Sequence, residues 1–198
     1  MSSAGDGIVP MMNAKVVCRI KPFTISEKKE GGHGCIDYTS NCIEVFSALG
    51  HHPFECDHIF DEASNQQDVF EYSARPLVDD ALAGINSTII AYGQTSSGKT
   101  YTIEGDPNDS VEMGIVPRTV IALFEAAAMR SSTMHFTFKM SYIEIYMEKV
   151  KDLLVEESTS IADVQSTVKM IGVNVTEKRI SSFDQFLKHL KSGESNVY

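Results

Sequence analysis

Short apolar runs predict strands in the first third of the 198-residue chain. β-branched and other apolar residues are concentrated at 14–20, and similar runs cover 36–46 and 54–60. Runs of this length, interrupted by glycine and proline, are typical of strands joined by turns. We therefore predict three strands here, with turns at 31–34 and 50–53.

Two segments that follow carry apolar residues at helical spacing. Ser64 and Gln67 have the spacing of a capping box, which predicts a helix with Ser64 as its N-cap. Gly84 would end this helix, and Pro76 within it predicts a kink or two abutting helices. Pro117 is expected to be the first residue of a second helix. The predicted buried side of that helix consists of Val120, Ile121, Phe124 and Ala128.

The last third of the chain shows both periodicities. Apolar and polar residues alternate over 134–142, which predicts a long half-buried strand. At Ile143 the apolar phase moves to odd positions, as a bulge or a change from one covered face to two would produce. Ser182 and Gln185 form a second capping box, which opens a helix that ends at Gly193. The predicted inward side chains of that helix are Phe183, Phe186, Leu187 and Leu190.

A glycine-bounded loop follows a further predicted strand at 89–91, which we expect to be covered on both faces. The loop meets the pattern G-x-x-x-x-G-K-S/T at its four fixed positions, Gly93, Gly98, Lys99 and Thr100. Glycines let backbone N–H groups converge on phosphate oxygens, while the lysine reaches the outer phosphates and the threonine hydroxyl ligates Mg²⁺. A chance match in a surface turn is the alternative, but the preceding strand favours a nucleoside triphosphate site.

The order of these elements predicts the fold class. Strands alternate with helices, and the phosphate loop follows a central strand, which indicates an α/β fold. We predict a P-loop NTPase-like central mixed sheet with helices on both faces. The helix after Thr100 should be short, because residues 105–109 would break it. The segment up to Gly114 is predicted to be a flexible insert beside the nucleotide site.

Charge and hydropathy narrow the range of partners. The net charge of −10 argues against a general nucleic-acid binder. It also disfavours an acidic polymer unless local basic patches supply the contact. No run of eighteen apolar residues occurs, which argues against a transmembrane helix. Residues 1–10 lack the basic and apolar regions of a signal peptide, so 1–13 are predicted to be a disordered leader before a cytosolic domain.

Cysteine and histidine residues near the N-terminus raise the possibility of a zinc site. Without a secretory signal, reduced thiols are expected at Cys18, Cys35, Cys42 and Cys56. Histidines lie among three of these cysteines, at His33, His51, His52 and His58. Because no C-x-x-C or H-x-x-x-H pair occurs, core thiols and loop histidines are predicted in preference to zinc ligands.

Several blocks of sequence, in order, resemble the kinesin motor domain. The loop reads A-Y-G-Q-T-S-S-G-K-T at 91–100, which is similar to the family's A-Y-G-Q-T-x-x-G-K-T and more specific than a bare phosphate loop. The other blocks are C-R-I-K-P-F at 18–23, F-D at 60–61 with Q-D-V-F at 67–70, G-I-V-P-R at 114–118, S-Y-I-E-I-Y at 141–146 and V-K-D-L-L at 150–154. The resemblance covers 14–196, and within the family it is strongest to conventional kinesin heavy chain.

The resemblance implies a microtubule-stimulated ATPase motor of the cytoplasm and cytoskeleton that binds ATP or ADP with Mg²⁺. Arg19, Pro22 and Tyr101 would flank the adenine ring, and Thr100 would hold the metal. The residues that would wrap the phosphates are Gly93, Gln94, Thr95, Ser96, Ser97, Gly98, Lys99 and Thr100. An aromatic face and a planar guanidinium are suited to stacking on a base.

Two segments that the family uses for hydrolysis are not found in these 198 residues. One is N-x-x-S-S-R-S-H, and the other is D-L-A-G-S-E; no D-x-x-G occurs anywhere in the sequence. Residues 14–198 are therefore expected to be the N-terminal portion of a motor domain, without both switch segments, the main microtubule-binding helices and the later strands that would cover the sheet. Phosphoryl transfer depends on several parts acting together, so we expect impaired hydrolysis and motility from this chain.

Two other functions remain open. The chain could be a non-catalytic nucleotide-binding or interaction module derived from a motor. The net charge of −10 favours this function, because the resemblance implies tubulin as the partner and the tubulin surface is also acidic. An unrelated P-loop enzyme, such as a small-molecule kinase, would leave the kinesin-like blocks unexplained. Basic residues that could make a minor microtubule contact, or could simply be solvated surface charges, are Lys149, Lys151, Lys169, Lys178 and Arg179. Neither nucleic acid nor membrane is expected as a partner.

Overall fold

A computed structural model describes residues 14–31, 34–155 and 175–196 of the chain. The predicted leader at 1–13 lies outside these residues, as do His33 and Lys169. The described strands are β1 (Val17–Arg19), β2 (Ile36–Tyr38), β3 (Cys42–Ser47), β4 (Gly50–Glu55), β5 (His58–Phe60), β6 (Phe138–Met140), β7 (Ile143–Tyr146), β8 (Lys149–Asp152) and β9 (Lys178–Ile180). The described helices are α1 (Ile25–Lys29), α2 (Gln66–Ser73), α3 (Arg75–Leu82), α4 (Lys99–Ile103), α5 (Ile115–Met129) and α6 (Phe183–Glu194).

The described strands pair in four small sheets. β1 and β5 are parallel, whereas β2, β3 and β4 form an antiparallel meander. β6 pairs with β9 and β7 pairs with β8, both antiparallel. Parallel and antiparallel pairs are therefore both present, as a mixed sheet requires, but within the described residues they are not joined into one sheet.

The region 36–60 contains more strands than the sequence predicts. The expected turn at 50–53 lies inside β4, because Ser47 pairs with Gly50 and the reversal is made by Ala48 and Leu49. Pro53 is tolerated there because β4 is an edge strand, where a missing N–H does not break the sheet. The predicted strand 54–60 is divided near Asp57, whose carboxylate Oδ2 accepts a 2.6 Å bond from the Val16 N–H.

Helices α2 and α3 confirm the break at Pro76 but not the predicted N-cap. The Asn65 side chain, rather than that of Ser64, accepts the hydrogen bond from the Asp68 N–H. Ser64 instead donates its hydroxyl to Asp61 Oδ1 at 2.8 Å. Pro76 lies in the first turn of α3, where its missing N–H costs no intrahelical bond. Gly84 ends the segment with φ +85°, as predicted.

Helix α5 lies between the two apolar clusters of the described chain. It begins at Ile115, two residues before the predicted start, and Pro117 falls in the first turn, where N–H groups have no intrahelical acceptor. Ala122 is buried, whereas the predicted inward Ala128 is exposed. The first cluster is formed by Phe60, Val69, Phe70, Ala74, Val78, Ile115 and Ala122. The second is formed by Ile180, Phe186 and Leu190, with Val116, Val120 and Phe124 packed against it.

The predicted long strand at 134–142 is wrong in extent. Only Phe138–Met140 forms a strand, and the phase change at Ile143 marks the start of β7 in a different sheet. Within the described residues β7 shows no second covered face, because Ile143 and Ile145 are 42% and 69% exposed. Met147 and Glu148 form the β7–β8 turn with positive φ angles of 47° and 59°, which suit the right-handed twist of a hairpin.

Helix α6 confirms the second capping signal. The Ser182 hydroxyl accepts a 3.2 Å bond from the Gln185 N–H. The reciprocal half differs, because the Gln185 side chain accepts from Ser181 rather than from the N-cap residue. Phe186 and Leu190 are buried as predicted. Gly193 is buried one residue before the end of α6, where a Cβ would lie 2.3 Å from the Tyr142 ring.

The cysteines and histidines of the described residues do not lie where the sequence places them. All four cysteines are free, but Cys35 is exposed and the other three are half-buried, so the prediction of core thiols is wrong. His51, His52 and His58 lie in strands β4 and β5 rather than in loops. Among residues 14–31, 34–155 and 175–196, no group of three or more metal-ligating side chains is found. None of the helices described is long and apolar enough to cross a membrane.

Glu104, at the end of α4, meets Tyr142 and the end of α6. The Tyr142 hydroxyl donates to Glu104 Oε1 at 3.5 Å. Burial raises the pKa of Glu104 above its ordinary value of 4.5, and the negative charge of Glu194 adds to that rise. An acid with a raised pKa binds its proton more tightly in the folded chain, so its ionisation lowers stability as pH rises above the unfolded value.

Replacing Glu104 with glutamine is therefore expected to raise the melting temperature at neutral pH, by a few degrees at most because Glu104 is partly exposed. The gain should shrink as pH falls and disappear below about pH 4, where the unfolded carboxyl is also mostly protonated. Melting curves across this pH range test it, with Glu125→Gln on the exposed side of α5 as the matched control. A Glu104→Gln variant less stable than the parent at neutral pH would contradict the expectation.

Candidate functional site

The segment before the phosphate loop does not form the predicted covered strand. Residues 86–91 belong to none of the described strands. Ile89 and Ile90 are 39% and 82% exposed, and Tyr92 is 98% exposed. A strand needs a neighbour to pair with its backbone, and no described strand pairs with this segment. The phosphate loop is thus preceded by a segment that lies outside the described strands and is largely exposed.

The loop itself is shaped by its two glycines. Gly93 has φ +154°, a conformation that residues with a side chain rarely adopt, and a Cβ there would lie 2.5 Å from the Ser97 hydroxyl. Gly98 has φ +96° and is the N-cap of α4, the short helix predicted after the loop. Ser96 also has a positive φ, of 66°, which is uncommon for a residue with a side chain.

The lysine of the loop is held by the loop's own backbone. Lys99 Nζ donates to the carbonyl oxygens of Gly93 at 2.7 Å and Gln94 at 2.8 Å. These two bonds place the ammonium group at the start of the loop rather than in bulk water. A cation in this position is suited to neutralising the charge of a phosphate group.

Thr100 can supply one oxygen ligand to a magnesium ion. Thr100 lies in the first turn of α4 and is exposed. Mg²⁺ commonly uses one or two protein oxygens together with substrate phosphates and water, so a single hydroxyl fits a nucleotide-borne ion. A carboxylate cluster that could hold the metal alone is not found in the described part of the chain.

A cavity of about 490 Å³ joins the loop to β1. Its lining brings together seven of the predicted site residues: Arg19, Pro22, Gly93, Ser97, Gly98, Lys99 and Tyr101. Gln94, Thr95, Ser96 and Thr100 belong to the same loop or helix but do not line the cavity. Apolar side chains such as Phe60 and Ile115 also contribute to the lining. The arrangement provides a phosphate-type loop at one side and a cationic and aromatic pair at another.

Arg19 of β1 and Tyr101 of α4 form a cationic and aromatic wall of the cavity. The Arg19 guanidinium donates to the Thr102 hydroxyl at 3.1 Å and to the Ser64 carbonyl at 3.3 Å. It also lies over the Tyr101 ring, 5.0 Å from the centroid. Partial burial lowers the pKa of Arg19 from its ordinary value, while Tyr101 and Glu112 oppose that change. Arginine remains charged at neutral pH, so this wall is cationic.

Tyr101 connects that wall to the loop that follows α4. Its hydroxyl donates to Glu112 Oε2 at 2.7 Å, and this bond is the largest cause of a raised tyrosine pKa. The phenol is therefore protonated at neutral pH and keeps the bond. The residue is 46% exposed, so part of it is accessible to a planar ligand.

The predicted flexible insert at 105–114 is held by a backbone bridge between its ends and by hydrogen bonds from Arg118. Gly105 and Met113 form an antiparallel bridge across its base. Arg118 donates from Nε to the Met113 carbonyl at 2.8 Å and from Nη2 to the carbonyls of Ser110 and Val111. Its Nη1 also contacts Gln67 Oε1. These bonds make the segment a closed loop beside the cavity rather than an open one.

Gln66 is a site residue that sequence reasoning missed. It is the buried polar residue of the described core, 2% exposed, and its Oε1 accepts from Arg19 Nη1 at 2.8 Å. Its Nε2 donates to the carbonyls of Tyr101 at 2.7 Å and Glu112 at 3.1 Å. The available signal is its spacing: Gln66 shares a helix face with Val69 and Phe70, where an apolar residue is expected.

The basic residues considered for a microtubule contact lie on two separate sheets. Lys149 and Lys151 belong to β8, and Lys178 and Arg179 belong to β9. Lys151 Nζ donates to the Asn196 carbonyl at 2.6 Å, so it supports the end of α6. The microtubule contact at these residues stays a prediction.

Comparison with known proteins identifies the family. The sequence model of the kinesin motor-domain family matches residues 19–197 of this chain. A kinesin heavy chain from Syncephalastrum racemosum is 39% identical over 188 residues, which are 93% of this chain and 20% of the relative. Human kinesin-1 heavy chain is 35% identical over 185 residues, which are 93% of this chain and 19% of the relative. The chain thus spans about a fifth of the length of these relatives.

A solved structure supports the same assignment. The structure of a fast kinesin superposes with a TM-score of 0.79 at 32% sequence identity, covering 91% of this chain and 52% of the other. This agreement confirms the predicted fold class, an α/β motor fold of which the chain represents part. The phosphate loop, its order relative to the other blocks, the family match and the shared fold lead to one conclusion. The chain belongs to the kinesin motor-domain family.

Proposed function

We propose that this chain binds ATP or ADP, with Mg²⁺, in the cavity between the phosphate loop and β1. The observation that carries the proposal is that one cavity is lined both by Lys99 of the loop and by the Arg19–Tyr101 pair. A nucleotide requires this combination, because its phosphates need backbone N–H groups and a cation while its base needs planar or apolar contacts.

Each part of the nucleotide has its own candidate residues. Arg19, Pro22 and Tyr101 would contact the adenine ring, and Thr100 would contribute its hydroxyl to Mg²⁺. Bound Mg²⁺ would neutralise phosphate charge in this site. The residues proposed to hold the phosphates are Gly93, Gln94, Thr95, Ser96, Ser97, Gly98 and Lys99.

For the whole protein we propose the activity of a cytoskeletal motor, in which ATP hydrolysis is coupled to movement along microtubules in the cytoplasm. Family membership supports this proposal, and the solved neighbour was described in terms of an ATPase mechanism and interactions with microtubules. These 198 residues taken alone are proposed to bind nucleotide but to hydrolyse it slowly and to bind microtubules weakly. The absence of any D-x-x-G sequence from them supports the second part.

The 198-residue chain is expected to bind MgATP without robust turnover, whether or not microtubules are present. Steady-state phosphate release, measured together with equilibrium nucleotide binding, tests both halves of the proposal. Strong microtubule-stimulated turnover would contradict the proposed impairment, whereas undetectable nucleotide binding would contradict the binding function. Binding without turnover would equally suit a non-catalytic module, which the net charge of −10 favours mildly. A longer polypeptide from the same protein would separate these two functions, because only a motor would gain stimulated hydrolysis.

A further inference from the structure

Gln66 connects the two residues of the proposed base-binding wall. It lies in the first turn of α2 and is 2% exposed. A single amide group accepts from Arg19 Nη1 at 2.8 Å and donates to the Tyr101 carbonyl at 2.7 Å. The side chain therefore holds β1 against the start of α4, the elements that carry the guanidinium and the ring.

The chemistry of these partners fixes the orientation of the amide. Arginine has only donors, so it must face the carbonyl oxygen of the glutamine. The carbonyls of Tyr101 and Glu112 only accept, so they must face the amide nitrogen. Gly105 closes the remaining side, since a Cβ there would lie 2.9 Å from Gln66 Nε2. No other side chain of similar length offers one strong acceptor and two donors at its end.

We propose that Gln66 is a positioning residue for the nucleobase, which sets the placement of Arg19 relative to Tyr101 and thereby the affinity for the base but not for the phosphates. The inference rests on the proposed nucleotide-binding function. Lys99 is bonded to Gly93 and Gln94, whereas Gln66 is bonded to Arg19, Tyr101 and Glu112, so the two sets of bonds share no residue. Losing the amide should leave the phosphate loop in place.

The test compares two ligands that share a chain of three phosphates, of which only MgATP also carries the adenine base and its ribose. Dissociation constants for MgATP and for magnesium tripolyphosphate are measured by calorimetry on the full chain and its Gln66→Met variant. MgATP affinity is expected to fall about tenfold, the scale of losing buried hydrogen bonds to a charged partner. Tripolyphosphate affinity is expected to change by less than about twofold, because its contacts lie in the loop.

Two further variants keep the result interpretable. Gln66→Glu keeps an acceptor for Arg19 but loses both donors to the Tyr101 and Glu112 carbonyls, so its preference for MgATP over tripolyphosphate should also fall. It provides the measurement if the methionine variant does not fold. Gln67→Met is the matched control, because Gln67 is the neighbouring glutamine, is exposed, and contacts Glu71 and Arg118 instead. It should bind both ligands as the parent does.

The positioning role of Gln66 and the proposed nucleotide binding fail under different outcomes. An equal loss of both ligands in the Gln66 variants would overturn the positioning role, because it would indicate general damage to the site. Unchanged MgATP affinity in either folded Gln66 variant would overturn it as well. If the parent chain bound tripolyphosphate but showed no added affinity for MgATP, the base-binding wall would be refuted while phosphate binding survived. If the parent bound neither ligand, the proposed function itself would fail.

Discussion

Lys99→Ala is expected to weaken MgATP binding by about a hundredfold, the consequence of removing a charge-assisted contact to phosphate from a partly enclosed site. The ammonium is the cation that the loop itself holds at its start, through the carbonyls of Gly93 and Gln94. Without it, the loop itself would offer the phosphates only backbone dipoles. Equilibrium titration with a fluorescent ATP analogue, in the presence of Mg²⁺, measures the loss.

The control for this change is a lysine of the same chain with no part in the site. Lys139→Ala removes a surface ion pair with Glu177, in which both side chains are more than half exposed. Such pairs contribute little to stability, so its MgATP affinity and its fold should match the parent. Circular dichroism distinguishes lost binding from lost structure in Lys99→Ala. Binding within about threefold of the parent would place the nucleotide phosphates elsewhere, since that is a smaller effect than one lost charged hydrogen bond.

Local chemistry is the part of this molecule that the sequence predicts well. The short helix after the phosphate loop, the break at Pro76 and the Ser182 cap are all decided by neighbours a few residues away, and the structure has them as predicted. Helical spacing likewise predicts that Phe186 faces inward, although not which residues bury it. These features need no knowledge of what else packs nearby.

Features that depend on distant partners were predicted less well. An apolar run such as 89–91 predicts a covered strand only if other strands pair with it, and none of the described strands does. The alternation over 134–142 cannot reveal that the chain changes sheets at Ile143. Gln66 was missed because its three partners come from parts of the chain 35 to 47 residues away. Periodicity reports which face is buried, not what it is buried against.

Phe70→Ala is expected to destabilise the chain more than any other change considered, by about 3–5 kcal/mol. The side chain is 2% exposed within the first apolar cluster and carries the Arg75 guanidinium 4.9 Å from its ring centroid. A loss of that size is a large fraction of the roughly 5–15 kcal/mol that holds a typical domain folded. Urea unfolding followed by circular dichroism should show a much lower midpoint with an unchanged slope.

The matched control and the position of α5 determine how this result is read. Phe54→Ala removes the same side chain from the edge strand β4, where it is 58% exposed, so its midpoint should differ little from the parent. We expect the unfolding of the two clusters to be coupled through α5, which supplies Ile115 to the first cluster and Val120 to the second. Because one helix is shared, the cavity left by Phe70→Ala should lower the stability of both clusters together, in a single transition. Separate transitions for β1 and α6 would show that the clusters fold independently, and a midpoint shift no larger than that of Phe54→Ala would contradict the assignment of Phe70 to the core.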